Sequence, residues 1–245
     1  MRKILLILLL FLSFFSCRKT IDCIGNTGKK VIYQYEISDF DTLVVNNNFE
    51  INLVQDTVNK LIVSAYKKYA DALTYSISDN SLFVDDTYNC KFTKPKKNKI
   101  RITLHVKRIS LIRINAPSKI ISEMPLINSD EIGVIVIPKI FEADLNVNCR
   151  VFYFWNTHLN GGKMFLHGNS EYLKLWNTSL CAVDASDLNT QNAYIENNSK
   201  GDITVKPEKF LSCKILNSGN VYYIGNPETI ILDDTLSSGK LIKLN

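Results

Sequence analysis

The stretch Phe152-Tyr153-Phe154-Trp155-Asn156-Thr157 returns, position for position, as Leu173-Lys174-Leu175-Trp176-Asn177-Thr178. It returns in weaker form as Ala193-Tyr194-Ile195-Glu196-Asn197 and then as Cys213-Lys214-Ile215-Leu216-Asn217. Asp233 takes the equivalent place after one further, shorter step. A period of about 20 residues with one residue type at a fixed phase is the mark of a repeat architecture. Within each segment the alternation has period two, so Phe154, Leu175, Ile195 and Ile215 share a face with the Asn two positions later. The alternate positions hold Tyr153, Lys174, Tyr194 and Lys214, then Trp155, Trp176, Glu196 and Leu216. Their charged members mark that second set as facing water. The inner set is apolar and ends in a column of Asn156, Asn177, Asn197 and Asn217.

An all-β parallel β-solenoid, or β-helix, with about 20–21 residues per coil explains this pattern. Neighbouring coils pair about 4.8 Å apart, so an Asn at a strand end stacks on its counterpart and passes an amide bond to the next coil. Asn also tolerates the left-handed backbone of a sharp corner. An antiparallel sandwich with Asn-rich turns is the competing fold, but it does not require corner residues to recur at a fixed step. Pro117 and Pro138, separated by the same step as the two tryptophans, carry the period upstream.

The first half is β-rich but irregular. Alternating runs at Thr42–Val45, Glu50–Val54, Lys60–Val63, Leu73–Ile77, Ser81–Val84 and Lys99–Val106 are separated by turn signals such as Asn46-Asn47-Asn48 and Asp79-Asn80. Val, Ile, Tyr, Phe and Thr suit strands. Only the segment Val63 to Tyr75 has room for a helical turn.

Arg2 and Lys3 precede an apolar run from Ile4 to Phe15, closed by Ser16 and Cys17. A charged start, a short apolar region and a small residue at the cut describe a secretory signal over residues 1–16. The run is shorter than the roughly 20 residues a spanning helix needs. Cys17 after a small residue resembles a bacterial lipobox, with Phe14 where Leu is usual. The resemblance implies lipidation at Cys17 and a membrane anchor, each buried CH₂ contributing about 0.8 kcal/mol. Residues 17–34 then read as a tether and 35–245 as the folded domain. Basic Arg18 and Lys19 stand where surface-exported lipoproteins resemble one another in an acidic cluster, so an exported outer-membrane lipoprotein facing the periplasm is expected.

The formal charge is +5. Its densest patch, Lys94 to Arg101, lacks the interleaved aromatics and binding fold of a nucleic-acid site. With Cys17 lipidated, Cys23, Cys90, Cys149, Cys181 and Cys213 remain. No CxxC occurs, so no zinc pattern is present. The equal steps from Cys149 to Cys181 to Cys213 are not multiples of the coil, so these three should not stack. No disulfide pairing follows from the sequence.

Tyr35-Glu36-Ile37-Ser38-Asp39-Phe40-Asp41, Asn48-Phe49-Glu50-Ile51-Asn52-Leu53 and Asn80-Ser81-Leu82-Phe83-Val84 look like landmarks of one family, and Gly219-Asn220-Val221-Tyr222-Tyr223-Ile224-Gly225-Asn226-Pro227 looks like its closing signature. The chain from Tyr35 to Asn245 thereby resembles the putative auto-transporter adhesin head GIN domain family, found largely in Bacteroidetes lipoproteins. The resemblance implies a right-handed β-solenoid, an adhesion role and no catalytic residues.

The residues themselves agree on the last point. A glycosidase needs two carboxylates about 5 to 9 Å apart across a cleft, but Asp85-Asp86 and Asp233-Asp234 are neighbours that face opposite ways, and Asp184 and Asp187 lie in a corner. His105, His158 and His167 have no metal-site spacing, and neither a GxSxG elbow nor a phosphate loop occurs. No cofactor or metal is expected. The best lead is an outer aromatic surface of Trp155, Trp176, Tyr153 and Tyr194, suited to a glycan or an envelope protein; rung-to-rung stacking is its structural alternative. A non-catalytic adhesion or binding module is thus expected. A carbohydrate-active β-helix enzyme and a structural periplasmic partner are the alternatives. Lys240 and Lys243 near the end blunt edge-to-edge addition, which predicts a monomer.

Overall fold

The computed structural model describes residues 27–88, 99–137, 140–156, 161–234 and 237–245. The signal segment, Cys17, Cys23, Cys90, the lysines at 94, 96 and 97, Pro138 and His158 lie outside the described residues. Strands occupy 74% of the structure and helix 2%, wound into a β-solenoid of about six turns.

The irregular half supplies strands β1 (Lys30–Glu36), β2 (Thr42–Val45), β3 (Phe49–Gln55), β4 (Lys60–Tyr66), β5 (Leu73–Ser78), β6 (Ser81–Asp86), β7 (Ile100–Val106) and β8 (Leu111–Ile114), with one turn of helix, α1 (Lys67–Ala70). Long winding strands follow: β9 (Lys119–Val136), β10 (Ile140–Asn156), β11 (Gly161–Ser199) and β12 (Ile203–Ile215), then β13 (Val221–Ile224), β14 (Thr229–Asp233) and β15 (Leu241–Leu244). β1 corrects the tether boundary. Lys30–Glu36 alternates exposed and half-buried positions and pairs antiparallel with β4, so residues 30–34 belong to the fold. The alternating tyrosines Tyr33 and Tyr35, which pack against the core, are what dock it.

Each coil of β9 and β10 pairs in three runs, 119–122 with 142–145, 126–128 with 147–149 and 131–136 with 151–156, with register shifts at the corners between. Inward side chains stack in columns: Val63, Ile102, Ile51, Ile120, Ala143 and Met164 on one side, and Leu43, Ile112, Val134, Phe154 and Leu175 on another. All are buried, and each one larger than Ala143 contributes roughly 1.5–3 kcal/mol over exposure. Outside the first column, Arg101, Glu50, Lys119, Glu142 and Lys163 alternate in sign along the axis. Like charges are never opposite one another there, as cross-strand pairing favours.

The turns follow local chemistry. Asp79 and Asn80 both take positive φ and close β5 onto β6 as a two-residue hairpin. Gly168 (φ +98°) turns a corner where an added Cβ would stand 2.2 Å from the Val147 carbonyl oxygen. Gly168→Ala is expected to cost about 2 kcal/mol or more, from backbone strain together with the clash. Urea unfolding measures it.

Coil length is not constant. Val183 pairs with Ile203, but Asn189 pairs with Lys206 and Asn192 with Phe210, a closer step in the sequence. Ile203–Ile215 therefore covers the same path as Val183–Asn197 with two residues fewer, lost at the corners, and Asn197 faces Ile215 rather than Asn217.

Candidate functional site

The predicted Asn column has three rungs. Asn156 donates from Nδ2 to Asn177 Oδ1 at 3.5 Å, and Asn177 to Asn197 Oδ1 at 3.3 Å. Each of the latter two also reaches four residues ahead, Asn177 to the Cys181 carbonyl (2.8 Å) and Asn197 to the Gly201 carbonyl (3.3 Å). The side chains thus tie the end of one side of the coil to the corner that follows. All three are buried. The left-handed corner residue is Ser179, not an Asn. Asn217 is not a fourth rung: the two-residue shortening carries it past the stack, and its Oδ1 accepts from the exposed Ser218 N–H instead.

The aromatic quartet does not form one surface. Trp155 and Trp176 stand in register on adjacent strands, 48% and 42% exposed, on the outer face of the side whose core column is Phe154 and Leu175. Ile135 precedes them in the same outer row, and Arg113 precedes Ile135. Tyr153, in contrast, is only half-exposed. It lies over Gly133, where a Cβ would stand 2.0 Å from its ring. Burial pushes its hydroxyl pKa upward, with Glu131 adding to the shift. Tyr153 therefore covers a glycine rather than offering a ring. Tyr194 is exposed but packs on Phe210, centroids 5.3 Å apart. The open surface is thus the Trp155–Trp176 pair flanked by Ile135, with Tyr194 and Phe210 as a separate patch.

One grouping was not singled out from the sequence. His167 lies between two carboxylates on neighbouring coils, Nε2 at 3.0 Å from Asp144 Oδ1 and Nδ1 at 3.3 Å from Asp187 Oδ2. Sequence spacing gives only a partial signal: His167 registers with Asn146 one coil back, and Asp144 lies two residues before that partner, on the same face. The Nε2 contact to Asp144 is a hydrogen bond, and Asp187 stands beside Nδ1 from the next coil. His105 is likewise held by Asp56 at 2.7 Å. Among the described residues no group of three or more His, Cys, Asp or Glu is placed to hold a metal ion.

The other acidic candidates have structural partners. Asp85 accepts from Asn47 Nδ2 and the Asp86 N–H, Asp86 from the Tyr88 N–H, and Asp184 from the Ser186 N–H. A recess of about 200 Å³ opens between Glu50, Asn52, Arg101, Thr103, Lys119 and Ile121. Its charges are already paired: Arg101 and Lys99 on Glu50 at 3.0 and 3.2 Å, Lys119 on Glu142 at 2.6 Å. Cys149, Cys181 and Cys213 are buried free thiols on separate parts of the coil. No helix among the described residues is long and apolar enough to cross a membrane.

Residues 39–227 match the family described as "Putative auto-transporter adhesin, head GIN domain". Three solved structures share the fold at low identity. A putative adhesin from Bacteroides fragilis is 16% identical with a TM-score of 0.76, over 88% of this chain and 97% of that one. A putative adhesin from Parabacteroides merdae is 17% identical with a TM-score of 0.58, over 90% and 98%. A putative lipid binding protein from Parabacteroides distasonis is 16% identical with a TM-score of 0.58, over 89% and 98%. No curated protein matches the chain.

Proposed function

The chain belongs to the auto-transporter adhesin head GIN domain family, and from that premise we propose that it is a non-catalytic binding module of the cell envelope whose contact surface is the Trp155–Trp176 pair. Adhesion or binding, in an envelope or extracellular setting, is what the family and the fold relatives share at a coarse level. One observation carries the finer reading: two large rings side by side on the outer face, each close to half exposed, where neighbouring outward positions on later coils hold Glu196 and Lys214. Soluble proteins seldom spend two adjacent tryptophans on water, and exposed aromatic patches mark contact sites. Flat rings spaced by one coil suit the apolar face of a sugar or an envelope protein. The domain is anchored through lipid on Cys17, after cleavage of residues 1–16, and faces the periplasm.

Trp155→Ala with Trp176→Ala is expected to weaken binding to envelope glycans, or to an envelope protein, by at least tenfold. Unfolding should change little, because both rings are on the solvent side. Glycan arrays and pull-downs from solubilised envelopes read the first, and thermal unfolding reads the second. Unchanged binding with intact fold would remove the Trp pair as the site. A carbohydrate-active enzyme would instead show polysaccharide turnover, and protease shaving of intact cells separates a surface-facing from a periplasmic domain.

A further inference from the structure

The two ends of the solenoid are built differently. At the N-terminal end the hairpins around β1, β4, β5 and β6, with α1, close over the core, and Tyr69 and Tyr88 are buried there edge to face. At the other end β14 pairs only with β12, and β15 only with β13, among the described residues. Ile230 and Leu232 sit in core phase, opposite Leu211 and Cys213. Leu211 and Cys213 are 0% and 1% exposed, whereas Ile230 and Leu232 are 41% and 44% exposed. Ile231, on the outer face, is 54% exposed. An apolar strand with a free edge is a template for another strand unless lysine, proline or a bulge blunts it. β15 has such a residue in Lys243, tied to Asn226 at 2.6 Å. β14 reads Thr229-Ile230-Ile231-Leu232-Asp233, with no lysine or proline and its one charge at the strand's end.

We propose that β14 is the docking edge for β14 of a second copy of this chain, antiparallel about a two-fold axis through Ile231. The order of its residues selects that occupant. Turned against itself, Ile231 faces Ile231 of the second copy, Ile230 faces Leu232 of the second copy, and Thr229 faces Asp233 of the second copy. Every apolar side chain meets an apolar one, and no like charges oppose. A one-residue slip would set a core-facing residue against an outward one. A two-residue slip sets Asp233 against Ile231, or strips Leu232 and Asp233 of their partners. In the centred register the core layer of Ile230 and Leu232 continues across the axis into the second copy. Lys240 and Lys243, from which the sequence predicts a monomer, guard the β15 edge and leave β14 open.

The full chain, purified in non-ionic detergent and followed by sedimentation over a concentration series, is expected to show a reversible dimer. Ile231→Lys places two ammonium groups against each other on the axis. It should weaken dimerisation at least tenfold while leaving thermal unfolding unchanged, since the side chain points to solvent. In a background with Cys23 and Cys90 replaced by Ser, Ile231→Cys should cross-link to itself under mild oxidation. Ile230→Cys and Leu232→Cys should cross-link only when the two are mixed. A chain that stays monomeric throughout overturns the proposal. So does a dimer that Ile231→Lys leaves intact, or one in which Ile231→Cys cross-links no faster than Cys placed at exposed Ser218.

Discussion

Asn177→Ala should destabilise the fold by about 3 kcal/mol, from lost hydrogen bonds and an unfilled buried space. Asn217→Ala, the same change in the same apparent repeat position, should shift stability by only about 0.5 kcal/mol or less, as surface substitutions do. Asn177 is 1% exposed and holds two bonds that nothing else in the site replaces, one to the Cys181 carbonyl and one to Asn197 Oδ1. Each net hydrogen bond is worth about 1 kcal/mol, and the truncated side chain adds the cost of its cavity. The loss is bounded from above because neighbours keep second partners. The Cys181 carbonyl still accepts from Ser199 Oγ, Asn197 Oδ1 still accepts from the Ser199 N–H, and Asn156 Nδ2 still reaches the Thr178 carbonyl. Asn217 is partly exposed and caps only its own turn, so water replaces its side-chain bond. Urea titration of the two variants measures the contrast. Equal losses would mean that the stack contributes nothing beyond ordinary corner chemistry.

That contrast marks where sequence and structure part. Strand pairing in a solenoid is set by how many residues each corner holds, and side-chain period sets only which face a residue takes. The alternation around Phe154, Leu175 and Ile195 therefore predicts inward and outward positions correctly through three coils. It cannot show that the corner between Asp184 and Asn189 takes up three extra residues relative to the next coil, or that the following corner returns one of them. Once that happens, Ile215 stands where Asn217 was expected. The six strands read from alternation in the first half all appear, because short amphipathic runs with Asn and Asp turns carry their own register. β1 was missed because an outer strand with an exposed face alternates polar and aromatic residues much as a tether could. At the surface, alternation assigns Tyr153 and Trp155 the same outward phase. What separates them is Gly133 on the previous coil, whose missing side chain makes a seat for the Tyr153 ring. Which outward aromatic is free and which is occupied depends on the neighbour one coil away, and that neighbour is unknown until the register is.

The largest pH effect should come from the thiols. Stability is expected to hold up to about pH 9 and then fall by about 4 kcal/mol per pH unit, the joint effect of three groups. Cys149, Cys181 and Cys213 are each no more than 7% exposed. Burial pushes each thiol from 9.0 up to about 12, with Asp234 adding to the shift at Cys213. Below about pH 9 folded and unfolded chains both keep these protons, so nothing is lost. Between about 9 and about 12 the unfolded chain releases them and the folded chain retains them. The unfolded state then binds fewer protons, and stability falls as pH rises, by about 1.4 kcal/mol per unit for each thiol. Tyr35 and Tyr153, also raised by burial, and Lys67 and Lys119, raised by their carboxylate bonds, act in the same direction at still higher pH. Urea midpoints taken from about pH 8 to 10.5 should therefore slope downward in the parent chain. Replacing all three cysteines by Ala should remove most of that slope at some cost in stability at about pH 8, and each single replacement should remove about a third. A slope that survives the triple replacement would assign the alkaline loss to the tyrosines and lysines instead. A flat profile in the parent would mean that the core opens enough to let water reach the thiolates.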